Sequence, residues 1–214
     1  MYAQRFGALF LLFAFLGLTP ASAENAVWIS GQNQESQYMR VFNVSLPPIG
    51  YVQFCHRHPD ECRTEAQAFH RVELSPQRWQ DLVLINSAVN NAVNPVTDHD
   101  LYGELEYWTF PRHNGDCEDY VLLKRRMLME RGWPMSSLLI TVVLDENGEG
   151  HAVLTARTSE GDFILDNKNN AVKAWNEVPY HFIKRQSYKN QRIWMSLIPE
   201  PDHYSLSLSN VDRR

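Results

Sequence analysis

Asn114-Gly115-Asp116-Cys117-Glu118-Asp119-Tyr120 sets a thiol where a polar loop turns into a helix. Gly115 ends the loop, and Asp116 is a side chain suited to capping a helix N-terminus. From Cys117 onward Tyr120, Val121, Leu128 and Met129 recur at near-helical spacing until Gly132, with Pro134 just behind it. Cys117 therefore falls on the first helical position, where unpaired backbone N–H groups and the macrodipole favour an anion. A thiol there is drawn toward thiolate, its nucleophilic form. Asp116, Glu118 and Asp119 push the opposite way, so the helix alone does not make a reactive cysteine and a nearby imidazolium is required. The competing reading is a small apolar side chain buried at a helix start.

Downstream of Pro134 the period changes from helical to extended. Leu138 to Leu144 is a β-rich apolar run of the kind found in central strands. Asp145 to Gly150 supplies turn chemistry, His151 to Arg157 reads as the next strand, and Asp162 to Asn167 reads as a third after the turn Thr158-Ser159-Glu160-Gly161. Further strands are expected at Tyr180 to Gln186 and Arg192 to Leu197.

That hairpin carries the second half of a site. A four-residue turn pairs Arg157 with Asp162, which sets Val153 opposite Asp166. His151 shares a strand face with Val153, so His151 and Asp166 become diagonal neighbours about 7–8 Å apart at their backbones. A slip of one residue would send them to opposite faces. Together Cys117, His151 and Asp166 suit nucleophilic catalysis: a thiol, a base to take its proton, and an acid to hold the imidazole. The developing oxyanion would meet the Cys117 backbone N–H and a second donor, for which Trp108 is one possibility.

Upstream, Ser75-Pro76 opens a helix whose buried face is Trp79, Leu82, Ile85, Val89 and Val93, ended by Asn94-Pro95. Val96 to Asn114 reads as an aromatic-rich loop that either lines a substrate groove or covers the core. The first residues, with Arg5 ahead of an apolar run from Phe6 to Leu18 and then Ala21-Ser22-Ala23, read as a cleaved secretory signal. Arg5 is its one charged residue, so the mature balance is 19 Lys and Arg against 25 Asp and Glu. With no basic block, nucleic acid and anionic membrane surfaces are poor candidate partners, and no membrane insertion is expected after signal cleavage.

In an exported chain, Cys55 and Cys62 are close enough for a disulfide that closes a small loop, leaving Cys117 as the odd thiol. A zinc site from Cys55, His56, His58 and Cys62 is the alternative, although the spacing fits no common zinc motif. The organisation is then a signal peptide at 1–23, an N-terminal arm at 24–74 that is irregular as far as Gly50 and carries the Cys55–Cys62 loop, a catalytic domain at 75–198 and a polar tail at 199–214. The fold class is α+β, with N-terminal helices packed on an antiparallel β-meander.

The order of Cys on a helix, His on a strand and Asp on the next strand resembles the papain-like transglutaminase superfamily. Gly115 to Tyr120, Gly150-His151-Ala152-Val153-Leu154 and Leu165-Asp166-Asn167 are similar to the bacterial transglutaminase-like cysteine peptidases of the LapG type, from about Ser75 to Leu197. That resemblance implies a papain-like or transglutaminase-like core and a periplasmic endopeptidase working through a thioester acyl-enzyme on Cys117, with His151 and Asp166. It implies a large surface adhesin as protein substrate and an inhibitory inner-membrane receptor as partner. It also implies calcium, with Asp116, Glu118 and Asp119 as ligands. Transfer of the acyl group to an amine, as in transglutaminases, and a non-catalytic binding module on the same fold are the alternatives.

Overall fold

The computed structural model describes residues 37–64 and 71–199. The expected signal peptide, the start of the arm and residues 200–214 of the tail lie outside them. In chain order the elements are β1 (Val44–Ser45), α1 (Ile49–Arg57), a 3-10 turn at Pro59–Cys62, α2 (Pro76–Ala92), β2 (Asn94–Pro95), α3 (Asp98–Tyr102), β3 (Asn114–Gly115) and α4 (Cys117–Glu130). A 3-10 turn at Met135–Ser137 leads into β4 (Leu138–Leu144), β5 (Gly150–Thr158), β6 (Gly161–Leu165) and β7 (Lys173–Ala174). Another turn at Trp175–Glu177 precedes β8 (His181–Gln186) and β9 (Trp194–Ser196).

The two long helices start and stop where local chemistry dictates. Ser75 accepts a hydrogen bond from the Arg78 N–H and Pro76 holds the first position of α2. Leu82, Ile85 and Val89 are buried, and Trp79 packs edge-on against Phe163. At the end of α4, Gly132 takes φ 79° and its N–H bonds Met129 O, while the Trp133 N–H returns to Leu128 O. Only glycine adopts that left-handed conformation without strain.

The sheet has the order β1-β9-β8-β4-β5-β6-β7, antiparallel throughout. β4 to β6 run as the expected meander, and β7, a strand the sequence did not suggest, extends it. β8 then departs from it, crossing to the other flank of β4, with β9 and β1 stacked outside. The reason lies in β4 itself: Leu138, Leu139, Ile140 and Val143 are fully buried, and a strand that apolar needs partners along both edges. α2 and α4 pack on one face of this sheet around Leu82, Leu128, Leu138, Ile140 and Leu154. The other face carries a smaller cluster of Met39, Val143, Val153 and Ile164.

The expectation of an irregular arm is corrected over its described residues. β1 adds to the sheet edge through Val44↔Met195, and α1 buries Tyr51 and Phe54 in the main core. Tyr51 meets the rings of both Trp108 and Trp194 edge-on, at 5.7 and 5.4 Å between centroids. The Cys55–Cys62 disulfide is formed, joining the last turn of α1 to the following 3-10 turn. Cys62 is fully buried in the same core, so this segment is part of the domain rather than an appendage. No helix among the described residues is long and apolar enough to cross a membrane.

Candidate active site

The approach to Cys117 is pinned before the helix begins. β3 pairs in parallel with β2 through Asn94↔Asn114 and Pro95↔Gly115, tying the loop to the end of α2. Cys117 then opens α4, as its sequence position requires. Asp116 stands at the N-cap position with the extended backbone usual there, but its side chain makes no capping bond; its Oδ2 accepts from the Asp98 N–H at 3.2 Å. It reaches across to α3 instead.

His151 lies near the start of β5 and is almost fully buried. The hairpin takes the register expected from its turn, with Arg157↔Asp162 and Leu154↔Leu165, so Val153 stands opposite Asp166. The diagonal closes: His151 Nε2 and Asp166 Oδ1 are 2.9 Å apart. Asp166 also accepts from the Lys168 N–H at 3.0 Å and from Tyr180 Oη at 2.5 Å, and its backbone carbonyl takes Asn90 Nδ2 at 2.9 Å. Burial opposes ionisation of this carboxyl, but the bonds from His151 and Tyr180 outweigh it and hold Asp166 below its ordinary range.

Cys117 and His151 line the same cleft of about 210 Å³, together with Trp108, Glu118, Ala152 and Lys184. The thiol donates to Glu118 Oε2 at 3.3 Å, and the sulfur accepts from the Ala152 N–H. Burial, then the Glu118 carboxylate, pushes the Cys117 thiol well above its ordinary value. In this arrangement the acids and burial outweigh the helix terminus. A larger cavity, about 400 Å³, opens beside the disulfide between Pro47, Tyr51, His56 and Arg192, away from the thiol.

The acidic residues sort differently from expectation. Asp98, Asp116 and Glu118 bring one carboxylate oxygen each to within 4.8 Å of one another. Asp119 is not in that group: its Oδ1 accepts from the Thr109 N–H at 2.8 Å and its side chain lies against Gly115. Asp98, which the sequence reading passed over, takes its place. Its only local signal is the start of a short helix, where the Thr97 side chain caps Asp100 and leaves Asp98 to turn inward. Asp98 Oδ2 accepts from the Tyr107 N–H.

Asp98 Oδ1 and Asp116 Oδ1 are buried with no hydrogen-bond partner among the described residues. Crowding has its electrostatic consequence: burial first, and then Asp116, push Glu118 up to about 10, and burial pushes Asp119 up to about 8. Orphaned hard oxygens that repel one another fit a hard cation such as calcium.

Trp108 walls the cleft, but its indole N–H is engaged by Glu106 Oε2 at 2.8 Å. As the structure stands, it is not the free second oxyanion donor the sequence suggested.

Residues 41–202 match the family of bacterial transglutaminase-like cysteine proteinases, and the chain belongs to it. It is accordingly a cysteine peptidase with a transglutaminase-like fold. Among solved structures it is similar to calcium-bound LapG from Legionella pneumophila, at 23% identity over 61% of this chain and 75% of that one, with a TM-score of 0.49. LapG of the same organism also matches at 26% identity over 63% and 75% of the two chains, with a TM-score of 0.48. The EGTA-treated form matches at 26% over 57% and 69%, with a TM-score of 0.47. No curated protein sequence matches the chain.

Proposed function

We propose that the chain is an exported cysteine endopeptidase in which Cys117 is the nucleophile, His151 the proton carrier and Asp166 the group that orients it. The observation that carries this is the meeting of α4 and the β5–β6 hairpin at one cleft, with Cys117 and His151 both on its wall and Asp166 bonded behind the imidazole. Asp166 occupies Nε2, which leaves Nδ1 as the nitrogen for proton transfer. The Cys117 sulfur gives its proton to His151 and attacks the scissile carbonyl, and the oxyanion meets the Cys117 backbone N–H at the helix terminus. The imidazolium then protonates the departing amine and a thioester remains. Water, deprotonated by His151, hydrolyses it and restores the thiol.

Asp98, Asp116 and Glu118 are the residues that would hold calcium. When bound, calcium supplies positive charge beside the thiol, offsetting the burial and the crowded acids that hold Cys117 above its ordinary value. Export is supported by the leader-like first residues and by the disulfide, which persists in oxidising compartments. A large surface adhesin as substrate and an inhibitory inner-membrane receptor rest on the family resemblance.

The test is the rate of Cys117 alkylation by iodoacetamide against pH, in purified protein with calcium and with chelator. The expected result is a plateau well below the ordinary thiol range of about 8–9, present with calcium and lost in His151→Ala. A rate that rises only in that range, indifferent to His151, would mean an ordinary cysteine and a different function.

A further inference from the structure

We infer that Tyr180 is a positioning residue for the His151–Asp166 pair, holding both members at once. This rests on the catalytic reading of that pair and adds to it. Tyr180 stands just before β8, and its hydroxyl donates to Asp166 Oδ2 at 2.5 Å. The same ring lies edge-on to the His151 imidazole, with centroids 5.7 Å apart and planes at 75°.

Each contact does separate work. Asp166 Oδ1 is shared by His151 Nε2 and the Lys168 N–H, so Tyr180 supplies the bond to the other oxygen. Asp166 is only 3% exposed, and without the phenol Oδ2 would be a buried acceptor with no donor among the described residues. With both oxygens bonded the carboxylate plane cannot rotate. A carboxylate saturated with donors also stays ionised, so it steadies the imidazolium without taking its proton. The ring edge blocks the imidazole from tilting.

Simple packing does not account for this. Tyr180 packs at the border of the smaller core cluster, where phenylalanine would fill the same space. Its hydroxyl instead points at the one carboxylate bonded to His151. Burial, then the bond to Asp166, pushes the phenol well above its ordinary value, so it remains a donor across the physiological range. The surrounding charges act through space: Lys124 from α4 and Lys168 from the β6–β7 loop on Asp166, and Asp145 and Glu146 from the β4–β5 turn on Tyr180.

The experiment follows the His151 Nε2–H proton by NMR, using 15N-labelled histidine in the mature chain carrying Cys117→Ala to keep the site inert. Tyr180→Phe keeps the ring and removes the hydroxyl. The expected result is solvent exchange of that proton roughly tenfold faster, the size of one lost hydrogen bond to a charged group. Backbone amides of β5 and β6 should exchange as before. Unchanged exchange of the imidazole proton overturns the inference. So does a faster rate matched by faster backbone exchange, since that is general loosening. Asp166→Asn separates the two levels of argument. If it leaves the proton equally protected, the His151–Asp166 bond is not formed in solution, and the catalytic reading fails along with the role of Tyr180.

Discussion

Gly50 lies so close to Trp108 that a Cβ on residue 50 would come within 2.4 Å of the indole Cδ1 and 2.6 Å of Nε1. The first turn of α1 is thus seated on a residue that walls the cleft holding Cys117, which links the N-terminal segment to the candidate site. Gly50→Ala sets two effects against each other. Helix propensity favours alanine by at most about 1 kcal/mol, whereas forcing a methyl into a filled core costs about 1–3 kcal/mol. The clash involves a buried ring rather than a flexible tip, so overpacking wins. The expected outcome is a lower melting temperature with slower alkylation of Cys117, as Trp108 is pushed into the cleft. A melting temperature at or above that of the parent would show that the indole moves aside freely.

The proposed metal site makes a sharper distinction. Asp98→Asn removes a charged ligand while keeping its size, and calcium affinity depends on ligand charge. Titration calorimetry should show affinity falling roughly tenfold or more. Asp119→Asn retains an acceptor for the Thr109 N–H and should bind calcium as the parent does. An equal loss in both variants would return Asp119 to the ligand set, and absence of binding in the parent would remove calcium from the proposal.

The contrast between Asp98 and His151 shows what the sequence disclosed and what it hid. The His151–Asp166 diagonal was legible because a short turn fixes register, and register in a hairpin is a matter of counting outward from Thr158 and Gly161. Cys117 was legible because a glycine, an acid and a helical period bracket it. Asp98 was not, because its place beside Asp116 depends on β2 pairing with β3 across some twenty residues of chain, a long-range event with no local period. Asp119 stands apart for a related reason: three adjacent acids look alike in sequence, yet Asp119 Oδ1 accepts from the Thr109 N–H and the residue falls outside the Asp98, Asp116 and Glu118 group. α1 escaped notice because nine residues behind Pro47-Pro48 bury only Gly50, Tyr51 and Phe54, too few to establish a period.

The disulfide has a structural role that can be separated from the chemistry. Cys55 and Cys62 enclose a short loop, and closing one of that length contributes about 2–3 kcal/mol. Replacing both by alanine should lower the melting temperature by several degrees. Alkylation of Cys117 should proceed as before, because the bridge lies beside the other cavity. Loss of Cys117 reactivity in a variant that still melts cooperatively would mean that the bridge supports the cleft directly.

Lys124, seven residues beyond Cys117 on α4, is fully buried, and its Nζ has no hydrogen-bond partner among the described residues. Burial lowers it to about 7, with the Asp166 carboxylate opposing that shift. The sign for stability follows from proton counting. Between about pH 7 and 10 the unfolded chain binds a proton here that the folded chain does not, so stability rises with pH across that window. Below it, both states are charged, and the full cost of burying an ammonium is present. Lys124→Met should therefore stabilise the protein by a few kcal/mol near pH 7, and the advantage should shrink steadily toward pH 10. Chemical denaturation of both forms at several pH values measures it. A difference that stays constant across the window would mean that Lys124 keeps its proton in the folded state, held by more than the Asp166 field.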